Sequence, residues 1–242
     1  HVTVQKARVS ATSSAAAGIG AVVRIEDSEV EGCNIYAASS YAGGVAYDWS
    51  TVYRTEVRNS TISSGSRAGG IGAYAVGAVD CTVRGCTVTG SSYVGGVVGL
   101  NYNATINSTG VVDCTIGTES AQYVGGLIGG NYEDSATETY SYVYNSFSKD
   151  TTVQASSAAG GIIGYAKGGI YENVYSNATV IASENAGGLA GLAEGYIMNS
   201  SAYRRLQVNG FYFRGTVRAN LQYAGALFGT YDHGEQPRNS DG

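Results

Sequence analysis

Proline is almost missing from this 242-residue chain, with one copy at Pro237, and tryptophan, methionine and histidine are nearly as scarce. Beside 36 glycines, that lack of proline excludes a collagen-like chain, which needs strict Gly-X-Y and much proline. Charge is sparse at 14% of residues, and the net of -5 leaves no basic stripe for a phosphate backbone, so nucleic acid is not an expected partner. Two histidines, His1 and His233, cannot build a paired-histidine zinc-protease helix, and neither a metal nor a cofactor is expected. No apolar run approaches the roughly 18 residues of a membrane span. The opening residues, His1-Val2-Thr3-Val4-Gln5-Lys6, lack the charged-then-apolar pattern of a signal peptide. A start at histidine reads as a processed form or a piece of a longer chain. With 43% apolar residues the sequence holds enough to build a core.

What the chain has in abundance is a glycine-centred phrase. Its eight copies begin at positions 17, 43, 69, 95, 125, 160, 187 and 225, as in Gly43-Gly44-Val45-Ala46, Gly69-Gly70-Ile71-Gly72, Gly95-Gly96-Val97-Val98-Gly99, Gly125-Gly126-Leu127-Ile128-Gly129, Gly160-Gly161-Ile162-Ile163-Gly164 and Gly187-Gly188-Leu189-Ala190-Gly191. Successive copies are 26, 26, 26, 30, 35, 27 and 38 residues apart, the spacing of a solenoid. Seven to nine residues upstream runs a β-branched ladder: Val9, Ile35, Ile62, Val88, Ile116, Val153, Val180 and Val217. Small residues flank it at two positions either side, the alternation of a strand's inward face. Threonine precedes it in six consecutive copies, from Thr61 to Thr216, and faces out. Immediately upstream lies a corner at Gly32, Asn59, Gly85, Asp113, Asp150 and Asn177, residue types that tolerate left-handed backbone. Beyond it an inward row is expected at Val30, Val57, Val83, Val111, Ser148, Tyr175 and Tyr212.

The expected fold is therefore all-β: a parallel β-helix of about eight three-sided coils, some 35 to 40 Å long at the usual interstrand spacing. One repeat domain over residues 1–231 and a polar tail over 232–242 account for the chain. Extra residues at 101–111, 131–144 and 198–209 are expected as projecting loops.

The phrases at 125–129 and 187–191, with Gly169-Ile170-Tyr171-Glu172-Asn173 and Asn177-Ala178-Thr179-Val180, resemble the GLUG repeat family across nearly the whole chain. Copies one to three displace or replace the final glycine, and Ala226 replaces the second glycine of copy eight. The resemblance implies a bacterial cell-surface protein of adhesin type, or the non-catalytic part of an immunoglobulin A-specific metallopeptidase. It implies an extracellular location and a host glycan, host protein or neighbouring subunit as partner, with no ligand identified.

Candidate chemistry is thin. The carboxylates Glu26, Asp27, Glu29 and Glu31 crowd one stretch but alternate around Val30 as on a solvated strand, so no catalytic residue is assigned. Cys33, Cys86 and Cys114 share one inward ladder and Cys81 lies nearby; they fit buried thiols, or a disulfide between adjacent coils. Sequons at Asn59, Asn103, Asn107, Asn177 and Asn199 arise partly from the repeat itself. The threonine ladder raises ice binding, against which stands its irregular companion row of Tyr36, Ser63, Thr89, Gly117, Gln154, Ile181 and Arg218.

Tyrosine is the positive signal, with 20 copies. Tyr41, Tyr93, Tyr123 and Tyr223 stand two residues before the phrase, with Arg67 in the same row, and offer either a carbohydrate platform or plain ladder packing. Tyr140, Tyr142, Tyr144 and Tyr203 sit in insertions and are expected to carry a ligand surface. The leading expectation is a non-catalytic adhesin-like binding or spacer module. The alternatives are an end-to-end filament subunit and a carbohydrate-active enzyme or ice-binding protein.

Overall fold

The computed structural model describes residues 1–20, 24–132, 141–194, 196–198, 202–204 and 206–232, with backbone alone at 196–198 and 202–204. The described chain is all-β, and it winds as the expected parallel β-helix. One coil runs through five short strands: Glu29–Glu31, Asn34–Ala37, Tyr41–Gly43, Ala46–Asp48 and Thr51–Tyr53. Each strand stacks in parallel on its counterpart one coil away, giving five columns, here numbered one to five in that order. Columns two and three hold eight strands each and column four holds seven. Columns five and one merge into a 13-stranded sheet, because Ile170–Ser176 and Gln207–Phe213 each run continuously from one column into the other. The one antiparallel pair among the described residues joins Tyr196–Met198 to Ala202–Arg204, inside the third insertion.

A five-residue beat inside each coil explains the five-strand outline. Ile25, Val30 and Ile35 point inward in the second coil, Val52, Val57 and Ile62 in the third, and Ile106, Val111 and Ile116 in the fifth, nearly all fully buried. Between each pair comes an outward residue, a left-handed corner, and a small residue bearing a hydroxyl or thiol. The expected corners at Gly32, Asn59, Gly85, Asp113 and Asp150 have φ of 50 to 60°. A second row of corners at Asp27, Arg54, Asp80, Ser108, Asn145 and Asn173, with φ of 44 to 54°, separates column five from column one. A third follows column four at Trp49, Ala75 and Asn103.

Left-handed corners interrupt the strand ladder, and in the first two rows a small hydroxyl or thiol residue after the corner repairs it, except at Asn173, which Val174 follows. Ser60 Oγ accepts from the Cys33 amide at 3.0 Å and donates to the Arg58 carbonyl at 2.9 Å. Thr109 Oγ1 accepts from the Cys81 amide and Ser146 Oγ from the Thr109 amide in the same way. Cysteine substitutes as a weaker partner: Cys114 Sγ accepts from the Cys86 amide at 3.3 Å. All four cysteines are free and buried. Burial pushes the Cys81 thiol up to about 11.

The glycine phrase makes the corner between columns three and four by close approach, not by left-handed backbone. A Cβ on Gly43 would sit 1.7 Å from the Ala46 carbonyl oxygen of its own turn, and one on Gly70 would sit 2.1 Å from the Gly96 carbonyl oxygen of the next coil. The same crowding recurs from Gly44 through Gly188. The aliphatic residue that follows each pair (Val45, Ile71, Val97, Leu127, Ile162 and Leu189) is fully buried.

Two expectations about side-chain direction fail at the seventh and eighth coils. The inward row continues from Val111 and Ser148 to Ser176 and Phe213, whereas Tyr175 and Tyr212 face out and stack on each other at 5.6 Å. The cause is one residue fewer at that corner. Two residues separate Ser176 from Thr179 where three separate Ser148 from Thr152, and Asn177 consequently does not enter the left-handed region. The insertion at 101–111 is likewise ordered into strands rather than a free loop: it lengthens one strand to Val98–Tyr102 and continues through Thr105–Asn107 and Gly110–Val112. Asn101 thereby turns inward and donates to the Ala104 carbonyl at 3.1 Å, in register with buried Asn131 of the next coil. Of the expected tail, only Asp232, which ends the strand Phe228–Asp232, lies among the described residues.

Candidate functional site

Outward residues beside the glycine corner form a band of interlocked rings. Column three contributes Tyr41, Arg67, Tyr93 and Tyr123 in successive coils, because the first residue of each three-residue strand faces out. Across the corner, column four contributes Tyr74 and Tyr165, and its lengthened strands add Tyr102 and Tyr132. The glycines hold the two columns close enough for ring contact. Tyr93 and Tyr123 stack at 5.2 Å, Tyr123 meets Tyr165 at 5.2 Å, and Tyr132 meets Tyr165 at 5.4 Å. Tyr93 lies over Gly130, where a Cβ would come within 2.5 Å of the ring.

Arg67 knits the first half of the band. Its guanidinium lies 5.0 Å from the Tyr41 ring centre and 5.1 Å from that of Tyr74, and it donates to the Tyr41 hydroxyl at 3.2 Å. Trp49 meets Tyr74 and Tyr102 edge-on at 5.7 and 6.0 Å, reaching along the rod from the second coil to the fourth. Hydroxyl pairing fixes the other half: Tyr93 and Tyr132 share a hydrogen bond of 2.9 Å, and Tyr165 donates to Glu194 at 2.6 Å. Burial, followed by these hydrogen bonds, holds the Tyr93 and Tyr165 phenols well above the ordinary tyrosine range. The phenols therefore stay neutral at physiological pH; Tyr93 keeps a partly exposed face as apolar contact area, whereas Tyr165 is buried beneath its neighbours.

Of the residues expected to bind, Tyr41, Tyr93 and Tyr123 belong to this band. Tyr142 and Tyr144 stand elsewhere, on the strand Tyr142–Tyr144 of column five. Tyr203 is described by its backbone alone, in the hairpin strand Ala202–Arg204, and Tyr140 lies outside the described residues. Trp49, Tyr74, Tyr102, Tyr132 and Tyr165 are the band members that sequence reasoning missed. A signal existed: tyrosines follow Tyr93 and Tyr123 by nine residues, at Tyr102 and Tyr132, bracketing the glycine phrase from both sides.

The other candidates take structural places. Arg58 is salt-bridged to Glu29 and Glu31, and Arg54 to Glu26 and Asp27, so the acidic stretch is a charge-paired outer face. The threonine ladder is in register from Thr61 through Thr87, Thr115, Thr152 and Thr179 to Thr216. Its companion row is as uneven as the sequence implies, with Tyr36 beside Ser63 and Ile181 beside Arg218.

Compared with protein-family models, curated proteins and solved structures, the chain matches none.

Proposed function

We propose that this β-helix is a non-catalytic binding or spacer module displayed outside the cell, adhesin-like as the GLUG resemblance implies, with the ring band as its ligand surface. The observation that carries the reading is the band itself. Its rings are tied to one another by stacking, by Arg67 and by hydroxyl pairs, yet all but the buried Tyr165 keep part of their surface exposed on the outer face. Rigid aromatic faces edged with hydroxyls suit sugar rings and protein hot spots alike, since little conformational entropy is lost when they bind.

A glycan and host-matrix protein array tests it. The intact chain is expected to bind at least one ligand class, and Tyr93→Ala with Tyr123→Ala to lose that binding while the far-ultraviolet dichroism stays unchanged. No binding, or binding indifferent to the band, overturns the reading. Deleting residues 133–140 is the control for the tyrosine-bearing insertions, Tyr140 and its neighbours Tyr142 and Tyr144, as the surface instead; Tyr203→Ala serves for the third insertion.

One observation favours a second reading, the filament subunit. The last coil leaves Leu221 77% and Tyr223 59% exposed and opens a cavity of about 400 Å3 lined by Leu206, Val208, Leu227, Phe228 and Tyr231. Electron microscopy of the pure protein at high concentration decides: end-to-end rods support it, and isolated monomers exclude it.

A further inference from the structure

Beside the band, around the corner from column four to column five, lies a groove of about 460 Å3. Trp49 and Tyr102 form one rim, Tyr53 stands on the other, and Gly77 lies in the floor between Thr51 and Thr105 of the neighbouring coils. No charged side chain lines it.

Two features of the groove lack any explanation in the fold. The first is Gly77. A Cβ there would meet nothing closer than 3.4 Å, and its φ is not left-handed, so neither packing nor backbone demands glycine. Glycine within a strand weakens it by roughly 0.5 to 1 kcal/mol relative to a residue with a side chain. The same outward row carries Thr51 in the coil before and Thr105 in the coil after, so the missing side chain is what hollows the floor. The second is Trp49, the chain's one tryptophan, which is 52% exposed and sits at φ 36°. Left-handed backbone is disfavoured for so bulky a residue, and the equivalent corners use Ala75 and Asn103. An exposed indole is thus held in a strained position, braced edge-on by Tyr74 and Tyr102, with a side-chain-free floor beside it.

We infer that this groove binds a neutral oligosaccharide, one pyranose ring lying against the Trp49 indole and its hydroxyls reaching the Thr51 and Thr105 side chains over Gly77. An uncharged lining disfavours uronic acids and sulfated sugars, whose desolvation it would not offset. An aromatic wall facing hydroxyl-bearing residues matches the alternating apolar faces and polar edges of an equatorially substituted sugar. The inference rests on the band reading above and deepens it, by naming the sugar class and the subsite.

Because Trp49 is the only tryptophan, its fluorescence reports on this groove alone. The intact chain is titrated with cellohexaose, xylohexaose and chitohexaose, with oligogalacturonate as the charged comparison, by tryptophan emission and by calorimetry. Saturable change with a neutral hexaose and none with oligogalacturonate is expected. Gly77→Thr should fold with an unchanged or raised Tm and bind at least about tenfold more weakly, and Trp49→Ala should lose calorimetric binding to the same degree. Neutral-sugar binding that leaves Trp49 emission unchanged, or that survives Gly77→Thr, overturns the groove; if Tyr93→Ala abolishes that binding, the band reading stands without it. Array binding to a protein but to no neutral sugar has the same effect. No binding to any sugar or protein overturns both.

Discussion

Gly96 and Gly77 lie less than one coil of chain apart and could hardly differ more in what surrounds them. A methyl group on Gly96 would be 2.2 Å from the Gly126 carbonyl oxygen and 2.8 Å from the Val111 side chain, whereas one on Gly77 would meet only ordinary contacts. The first glycine is where backbone stacks on backbone from one coil to the next. The second is an opening in a surface row that threonines fill on either side. Abundance alone therefore says little in this chain; what a Cβ would meet separates glycines such as Gly96, which make the rod, from Gly77, which shapes its surface.

The largest expected effect is at the closed kind. Gly96→Ala forces two coils apart at a point where carbonyl and Cα are in contact, and no side-chain rearrangement relieves it, because the clashing atom is backbone. We expect loss of cooperative folding, or destabilisation beyond about 4 kcal/mol, measured by thermal melting followed in the far-ultraviolet. A melt close to wild type would show that the coils can separate, and the contrast with Gly77 would collapse.

Next in size is the ladder that the glycines allow to stack. Ile116 is fully buried in column two between Val88 and Val153. Ile116→Ala should cost about 3 to 4 kcal/mol by urea melting, the usual range for a buried isoleucine whose neighbours cannot collapse inward. Parallel strands fixed by hydrogen bonds above and below leave little room for collapse, so a cost under about 1 kcal/mol would argue against a tightly stacked core.

Those two sites also show how much of the fold the sequence made legible. The glycine phrase and the Ile62-type ladder repeat once per coil and mark their own positions, so the parallel β-helix and the inward face of column two could be read directly. The five-strand outline could not be read from the same alignment, because its beat is five residues long and lies inside the repeat: Val52, Val57 and Ile62, the first two each followed two residues on by a left-handed corner, at Arg54 and Asn59. Corners at Arg54, Asp80 and Ser108 were hidden since arginine and serine do not advertise positive φ. Tyr175 and Tyr212 were misassigned for a different reason: the corner after each is one residue short, so counting back from Val180 and Val217 lands on the outward neighbours of Ser176 and Phe213. The ring band was half legible. Tyr93 and Tyr123 align on the phrase, but Tyr74, Tyr102, Tyr132 and Tyr165 fall at varying distances after it, and only the corner brings the two sets together.

Closed and open positions should also part company under alkali. Burial raises the Cys81 thiol from the ordinary value of 9.0 to about 11, so the folded chain holds the neutral thiol more strongly than the unfolded chain does. That stability is complete below pH 9 and is lost progressively as pH rises toward 11, amounting to roughly 3 kcal/mol for two units at 1.36 kcal/mol each. Urea melts at rising pH are expected to show this fall, and Cys81→Ser, which keeps the small hydroxyl-type partner used at Thr55 and Thr109 of the same row, should reduce it. A flat profile from neutral pH to 11 would mean that the thiol row is open to water.

The smallest effect has the opposite sign and bears most directly on the comparison of the two glycines. Gly77→Thr places a β-branched residue on an outward strand position, between threonines, where the backbone is already extended and the Cβ meets nothing closer than 3.4 Å. The unfolded chain loses conformational freedom and the strand gains a residue suited to it, so stability should rise by about 0.5 to 1 kcal/mol. Thermal melting resolves a change of that size in a cooperative domain. Destabilisation would mean that Gly77 is as architectural as Gly96, and the floor of the groove would then be a consequence of the coil rather than a site left open within it.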